Sequence, residues 1–246
     1  MKLSSNKKFW DIKAQSEKIG EVYIYGSIVR YRWDDEDTTA MSFKKDLEAL
    51  GDIDTLNIYV NSPGGSAFQA QAIYNIIKRH KSQKTAHIDG LAASAASFLI
   101  MTADKIIMPK NATMMVHNPI ALVIGNAKDL RHEADALDKI AVGMIEAYLS
   151  HTGDKLTEDK LKELLDAESW LTAQEAYDYG LADEIAEVKD VAACVDPDIF
   201  ALYKNVPEAF KAPQTGGDDP AEKERREKIV ARSGQVLEKV GQVLKF

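Results

Sequence analysis

Short apolar segments rich in β-branched residues alternate along this 246-residue chain with segments of helical periodicity. The strand-like segments are 21–26, 56–60, 85–89, 105–108, 113–116 and 182–188, and the helix-like segments are 42–50, 68–79, 94–101, 126–149, 157–165 and 172–180. Such alternation favours an α/β fold with a largely parallel sheet. In these sheets ligands bind beyond the carboxyl ends of the strands, so residues just after strands are the first candidates for a site.

One such strand end runs straight into Asn61-Ser62-Pro63-Gly64-Gly65-Ser66. Pro63 fixes one backbone angle, and the two glycines permit backbone geometries that other residues avoid. The result is a turn between a strand and a helix N-terminus, where unpaired backbone N–H groups gather. A phosphate-binding loop is disfavoured because the Gly-Lys-Ser/Thr ending is missing, and a plain strand-to-helix connection stays open.

A second strand end leads into a run of very small residues, Asp89-Gly90-Leu91-Ala92-Ala93-Ser94-Ala95-Ala96-Ser97. Small residues allow close approach of backbone and ligand, and a serine at a strand-to-helix corner can stand clear of its chain as a nucleophile must. Alanine and serine also pack within helices, so the run by itself leaves a purely structural role open. Ser97, one helical turn beyond Ser94, is interpreted as a packing or capping residue.

Serine hydrolysis also needs a base, and the chain contains five histidines. His117 follows the apolar segment 113–116 at the expected sheet edge, which favours it as the base. The other four have structural interpretations: surface helix positions for His80 and His132, a strand position for His87, and a helix end for His151. The residue patterns do not decide which acidic residue would orient the base. The candidates, each near the end of a predicted helix or strand, are Asp166, Glu168 and Asp183.

Composition excludes several classes of protein. A net charge of -8 argues against nucleic-acid binding, which needs clustered Lys and Arg. The single cysteine, Cys194, excludes an internal disulfide. No apolar run approaches a membrane span, and the first residues lack a hydrophobic signal core. We expect a cytoplasmic protein that binds neither nucleic acid nor membrane.

The chain is expected to divide into an N-terminal segment (1–20), a core domain (21–190), a linker (191–220) and a C-terminal tail (221–246). Proline, glycine and aspartate mark the linker. The tail carries apolar residues at helical spacing among mixed charges, which indicates a marginal amphipathic helix, either disordered or docked on a partner.

Five motifs occur in an order that resembles the Clp protease proteolytic subunit family of serine peptidases, over roughly residues 20–190. The motifs are Asn61-Ser62-Pro63-Gly64-Gly65, Gly90-Leu91-Ala92-Ala93-Ser94-Ala95, Met115-Val116-His117-Asn118-Pro119, His151-Thr152-Gly153 and Trp170-Leu171-Thr172-Ala173 with the residues through Asp183. The resemblance implies a ClpP/crotonase-like spiral of ββα units. It also implies a protruding helical handle that begins at Asn126, and subunits that stack into rings.

Carried over by position, the resemblance makes Ser94 the nucleophile and His117 the base. The backbone N–H groups of Gly65 and Ala95 would form the oxyanion hole. The family's acid is usually Asp, and the corresponding position here is Glu168, with Asp166 as the alternative. A glutamate can orient a histidine as aspartate does if its backbone is set back by about one methylene. Neither a cofactor nor a metal is implied.

Other features set the chain apart from the family's housekeeping members. The segment Ile120–Gly125 is more apolar than the family's glycine-rich stretch, and residues 1–20 lack the axial loop that meets an unfoldase. Three segments resemble the Clp-related head maturation (prohead) proteases of tailed phages: Lys8–Ile12, Glu21–Gly26 and Glu168–Ala173. That resemblance implies capsid or scaffold proteins as substrates.

Three alternatives remain. One is a bacterial Clp-type proteolytic subunit that works with an ATP-dependent unfoldase. Another is a crotonase-like acyl-CoA enzyme, which would use the glycine turn but would not need a Ser94–His117 pair. The last is a shell or scaffold protein in which Ser94 only packs.

Overall fold

The computed structural model describes residues 8–29, 39–188 and 196–211. Its elements are β1 (Trp10–Ala14), β2 (Ile19–Tyr25), α1 (Ala40–Glu48), β3 (Thr55–Ser62), α2 (Ala67–Lys78), β4 (Gln83–Ala93), α3 (Ala95–Ile100), β5 (Lys105–Pro109), β6 (Thr113–Val116), α4 (Ala127–Thr152), a 3-10 turn (Gly153–Lys155), α5 (Glu158–Asp166), β7 (Ser169–Thr172), α6 (Ala173–Asp178), β8 (Glu184–Ala186), α7 (Pro197–Phe200) and α8 (Glu208–Lys211). Residues 1–207 and 208–246 form separate units, so α8 is not part of the unit described below. None of the helices among the described residues is long and apolar enough to cross a membrane.

The strands form one eight-stranded sheet in the order β1-β2-β3-β4-β5-β8, with β6 paired to β4 and β7 paired to β6. The β1–β2 and β6–β7 pairs are antiparallel, and the other five pairs are parallel. The predicted α/β class with a largely parallel sheet is therefore confirmed. The spiral and the protruding handle are finer expectations and stay predictions.

Apolar side chains alternate along the central strands, as half-buried strands require. Leu56, Ile58 and Val60 of β3 are fully buried on one face. On the other face Tyr59 stacks between Tyr23 and His87, with ring centroids 4.8 and 4.9 Å away. The predicted strand position of His87 is confirmed, and its ring is part of this aromatic stack.

The strand β4 places the site because it is longer than the sequence predicted. The run of small residues continues the strand as far as Ala93, beyond the predicted strand end at Asp89, and the predicted corner lies at Ser94. Its first half pairs with β5, whereas Leu91–Ala93 pair in parallel with Thr113–Met115 of β6. The carboxyl ends of β4 and β6 therefore lie side by side, and the residues that follow them are neighbours.

Two strands were not predicted from the sequence. The strand β1 lies in the predicted N-terminal segment (1–20), for which no strand was predicted, but Trp10 is buried and its indole N–H donates to the carboxylate of Asp46 over 2.9 Å. The strand β7 immediately precedes the capping box of Thr172 and Glu175, which opens α6 as predicted. The strand β1 pairs with its sequence neighbour β2, whereas β7 depends on antiparallel pairing with β6, which lies far away in the sequence, and such pairing leaves little trace in the local sequence.

Candidate active site

Ser94 lies at the junction of β4 and α3 in a backbone conformation that non-glycine residues rarely adopt, with φ 54° and ψ -123°. Its N–H donates to the carbonyl oxygen of Met115 over 2.9 Å. Its carbonyl accepts a 2.7 Å hydrogen bond from the hydroxyl of Ser97, which lies 2.8 Å from the hydroxyl of the buried Tyr148. Hydrogen bonds on both sides thus hold a strained serine in place, as is typical of functional corners.

The Ser94 hydroxyl oxygen lies 2.6 Å from Nε2 of His117, which follows the end of β6. Both side chains are buried within the described part of the chain. Burial lowers the pKa of His117, and the negative charge of Glu168 opposes that shift. A buried, neutral imidazole in contact with a serine hydroxyl is able to accept its proton.

The turn predicted at Gly64 and Gly65 packs directly against this corner. A Cβ atom on Gly64 would lie 2.8 Å from Cβ of Ser94 and 3.0 Å from the backbone nitrogen of Ala95. Both glycines have positive φ, and the turn is pinned to Ile28 by two hydrogen bonds of 2.7 Å. Within the described residues, the N–H groups of Gly65 and Ala95 donate to no other protein group, so both are available to an anion beside Ser94.

Glu168 is the predicted acid that the structure brings to His117. It is buried and has a left-handed backbone conformation with φ 49°. Its carboxylate oxygens accept hydrogen bonds from the backbone N–H groups of Lys204 over 2.9 Å and Asn205 over 2.6 Å. The structure shows no direct hydrogen bond between the Glu168 and His117 side chains, so the interaction is one of charge.

The other two candidate acids interact elsewhere. Asp166 accepts a 2.6 Å hydrogen bond from the side-chain amide of Asn118. Asp183 accepts from the backbone N–H of Ile106 and lies 3.3 Å from Nε2 of His151. His80 lies 2.9 Å from the hydroxyl of Ser82, and His132 is exposed on α4. The predicted positions of His132 on a surface helix and of His151 at a helix end are confirmed, whereas His80 is half-buried beyond the end of α2 and does not lie on a helix.

Two cavities flank Ser94. One of about 230 Å³ is lined by apolar side chains that include Phe98, Leu137, Ile140 and Met144. The other, of about 360 Å³, is lined by residues that include Ile28, Ile199, Leu202 and Tyr203. An extended peptide that occupied both cavities would pass over Ser94, because Gly65, Ser66 and Ser94 line both cavities. Among the described residues, no cluster of three or more His, Cys, Asp or Glu side chains could hold a metal ion.

The contribution of residues 199–205 was missed by sequence reasoning, which placed them in a linker. The hydroxyl of Tyr203 donates to the carbonyl of Pro63 over 2.6 Å, and its ring meets His117 edge-on with centroids 5.1 Å apart. The apolar and aromatic residues Ile199, Phe200, Leu202 and Tyr203 were the only available hint, and four such residues do not say where a segment docks.

A comparison with known protein families agrees with the geometry. The family model described as Clp protease matches residues 15–189, which is more than half of the 246-residue chain. The matched region contains the glycine turn, the serine corner, His117 and Glu168. The predicted family resemblance is thereby confirmed at the level of the family. The chain belongs to the Clp protease family, whose members are peptidases.

Proposed function

We propose that this protein is a serine endopeptidase in which Ser94 is the nucleophile, His117 the general base and Glu168 the acid. The observation that carries the proposal is the 2.6 Å contact between the Ser94 hydroxyl and Nε2 of His117. That contact lies at a strained corner beside two N–H groups that have no other acceptor among the described residues. Nucleophile, base and anion donors are what acyl transfer requires.

In the first half of the reaction, His117 takes the hydroxyl proton as Ser94 Oγ attacks the scissile carbonyl carbon. The carbonyl oxygen becomes an oxyanion that accepts hydrogen bonds from the N–H groups of Gly65 and Ala95. The carboxylate of Glu168 stabilises the imidazolium that forms, which matters because burial alone disfavours a charged His117.

In the second half, the imidazolium donates its proton to the leaving amine, and the acyl group remains on Ser94. Water then attacks the acyl ester with His117 again as base, and the proton returns to Ser94 Oγ as the acid product leaves. The apolar cavity beside Phe98 and Met144 suits an apolar substrate side chain next to the scissile bond.

The biological role we propose is maturation of a phage or prophage head, with capsid or scaffold proteins as substrates. It is supported by the resemblance of the N-terminal strands and of the segment around Trp170 to prohead proteases. We further propose a ring of subunits in a spiral ββα fold, with α4 as the handle. The exposed Ile120, Leu122 and Ile124 just before α4 support self-association, since exposed apolar clusters mark contact surfaces.

The direct test is labelling with a fluorophosphonate, followed by identification of the labelled peptide by mass spectrometry. We expect label on Ser94, none in Ser94→Ala, and normal labelling in the remote control Ser16→Ala. Active Ser94→Ala protein would contradict the proposal. Tight CoA binding without labelling would favour the acyl-CoA enzyme. A protein that neither binds CoA nor is labelled would favour an inert shell protein. ATP-dependent degradation of a folded substrate with a captured unfoldase would identify a bacterial Clp-type subunit.

The Glu168→Gln variant tests the acid through the pH dependence of labelling. The charge of Glu168 raises the pKa of His117, so its removal lets the pKa fall further below the ordinary histidine value. The base must be neutral to act, so the acidic limb of the rate profile should move to lower pH. The plateau rate should fall by about 10²-fold or more, because the imidazolium loses its counter-charge. Asp166→Asn should leave the limb in place.

An acidic limb that stays fixed in Glu168→Gln would contradict the assignment of Glu168 as the acid. An acidic limb that moves in Asp166→Asn would make Asp166 the acid instead. Circular dichroism of both variants would check that the fold is intact.

A further inference from the structure

Residues 196–206, which we call the C-terminal strap, lie across the active site. At its start the hydroxyl of Ser27 donates to the carboxylate of Asp196. Farther along, Phe200 packs edge-on against Trp170 with centroids 5.9 Å apart, and Tyr203 donates to the carbonyl of Pro63. A short part of the strap therefore contacts both the glycine turn and β7, the strand that directly follows Glu168.

The last residues of the strap bind the proposed acid, Glu168. The consecutive backbone N–H groups of Lys204 and Asn205 bind the two carboxylate oxygens of Glu168 separately, over 2.9 and 2.6 Å. The side-chain amide of Asn205 also donates to the carbonyl of Ala167 over 2.8 Å. These three bonds fix the Glu168 carboxylate and the backbone that carries it, and they offset the strain of its left-handed conformation at φ 49°.

We propose that the C-terminal strap is a positioning element of the active site, in which the N–H groups of Lys204 and Asn205 hold the Glu168 carboxylate against His117. The proposal rests on the proposed serine peptidase function. A carboxylate oxygen has two acceptor sites, so one bond to the strap leaves each oxygen able to accept from the imidazole. The strap thus fixes the carboxylate without using up its capacity to serve the base.

The strap also closes one side of the catalytic pair. The ring of Tyr203 meets the imidazole of His117 edge-on, and Tyr203 and Ser94 line the same cavity. Burial raises the pKa of Tyr203 to about 12, so its hydroxyl stays a neutral donor at physiological pH. Among the described residues, the carboxylate whose charge acts on His117 is that of Glu168, and Glu133 of α4 lines the same cavity as His117.

The test removes one N–H group from the full-length chain. An ester in place of the amide between Lys204 and Asn205, made by ligation, removes the donor and keeps both side chains, and Asn205→Pro is its genetic counterpart. We expect fluorophosphonate labelling of Ser94 to slow by about 10- to 100-fold, since small misplacements of catalytic groups cost that much. The acidic limb should move to lower pH, because a released carboxylate no longer raises the pKa of His117.

The side-chain control is Asn205→Ala, which keeps the N–H and loses only the bond to Ala167. It should lower the rate less than the ester does and leave the acidic limb in place. In a Glu168→Gln background the ester should shift the limb no further, because its effect acts through the carboxylate.

Two results would overturn the proposal while leaving the peptidase function standing. One is an ester variant that labels at the wild-type rate with an unmoved limb. The other is an ester variant that labels faster, which would make the strap an inhibitory cover. Failure of the wild type to label would instead overturn the proposed function itself. Urea midpoints of the ester and wild-type proteins would show whether both are folded.

Discussion

His117→Ala is expected to lower the rate of Ser94 acylation by about 10⁴-fold or more, as loss of the base does in serine hydrolases. The Ser94 hydroxyl lies 2.6 Å from Nε2 of His117, and no second base among the described residues forms a hydrogen bond with it. Without the imidazole, the hydroxyl proton has no acceptor at the moment of attack. The measurement is the second-order rate constant for fluorophosphonate labelling, with peptide turnover beside it.

The matched control is His132→Ala, because His132 is exposed on α4, away from the described contacts of the site. It should label at the wild-type rate. Since His117 is buried, its truncation also leaves a small void, and denaturant unfolding separates a loss of stability from a loss of chemistry. A His117→Ala protein that is folded and labels within tenfold of wild type would remove His117 from the mechanism.

Ser94 and His117 could be predicted from the sequence because their positions follow from local patterns and one general rule. Apolar segments mark the strands before them, and parallel strands present their carboxyl ends at one edge. The rule places both residues at that edge but not in contact. Contact requires the pairing of Leu91–Ala93 with Thr113–Met115, which depends on β4 extending through its alanines and glycine. Alanine and glycine have low strand propensity, so this extension was not predicted.

The choice between Glu168 and Asp166 could not be made from spacing. The two residues are two positions apart, and which of them faces His117 depends on the chain turning back after α5. Glu168 makes that turn with φ 49°, a conformation that glutamate rarely adopts and that no local pattern announces. Its support comes from Lys204 and Asn205, more than thirty residues away. A contact of that range leaves no periodic trace in the sequence.

The second large effect is expected for Gly64→Ala, which should lower the acylation rate by about 10²- to 10³-fold through the oxyanion donors. A Cβ on Gly64 would lie 2.6 Å from the carbonyl oxygen of Ala93 and 3.0 Å from the nitrogen of Ala95. Both neighbours are backbone atoms, so the turn must move away from the serine corner. That movement separates the N–H group of Gly65 from that of Ala95, and one oxyanion can no longer accept from both.

The control for Gly64→Ala is Gly51→Ala, because both glycines have positive φ, 92° at Gly64 and 70° at Gly51. No atom lies within 4 Å of the added Cβ at Gly51, so that variant carries the backbone strain without the clash. Gly51→Ala should lose about 1 kcal/mol of unfolding free energy and keep its labelling rate. Gly64→Ala should still be labelled more slowly than wild type when the two rates are compared at the same fraction of folded protein. If Gly64→Ala lost stability alone and labelled normally, the N–H of Gly65 would have no part in stabilising the oxyanion.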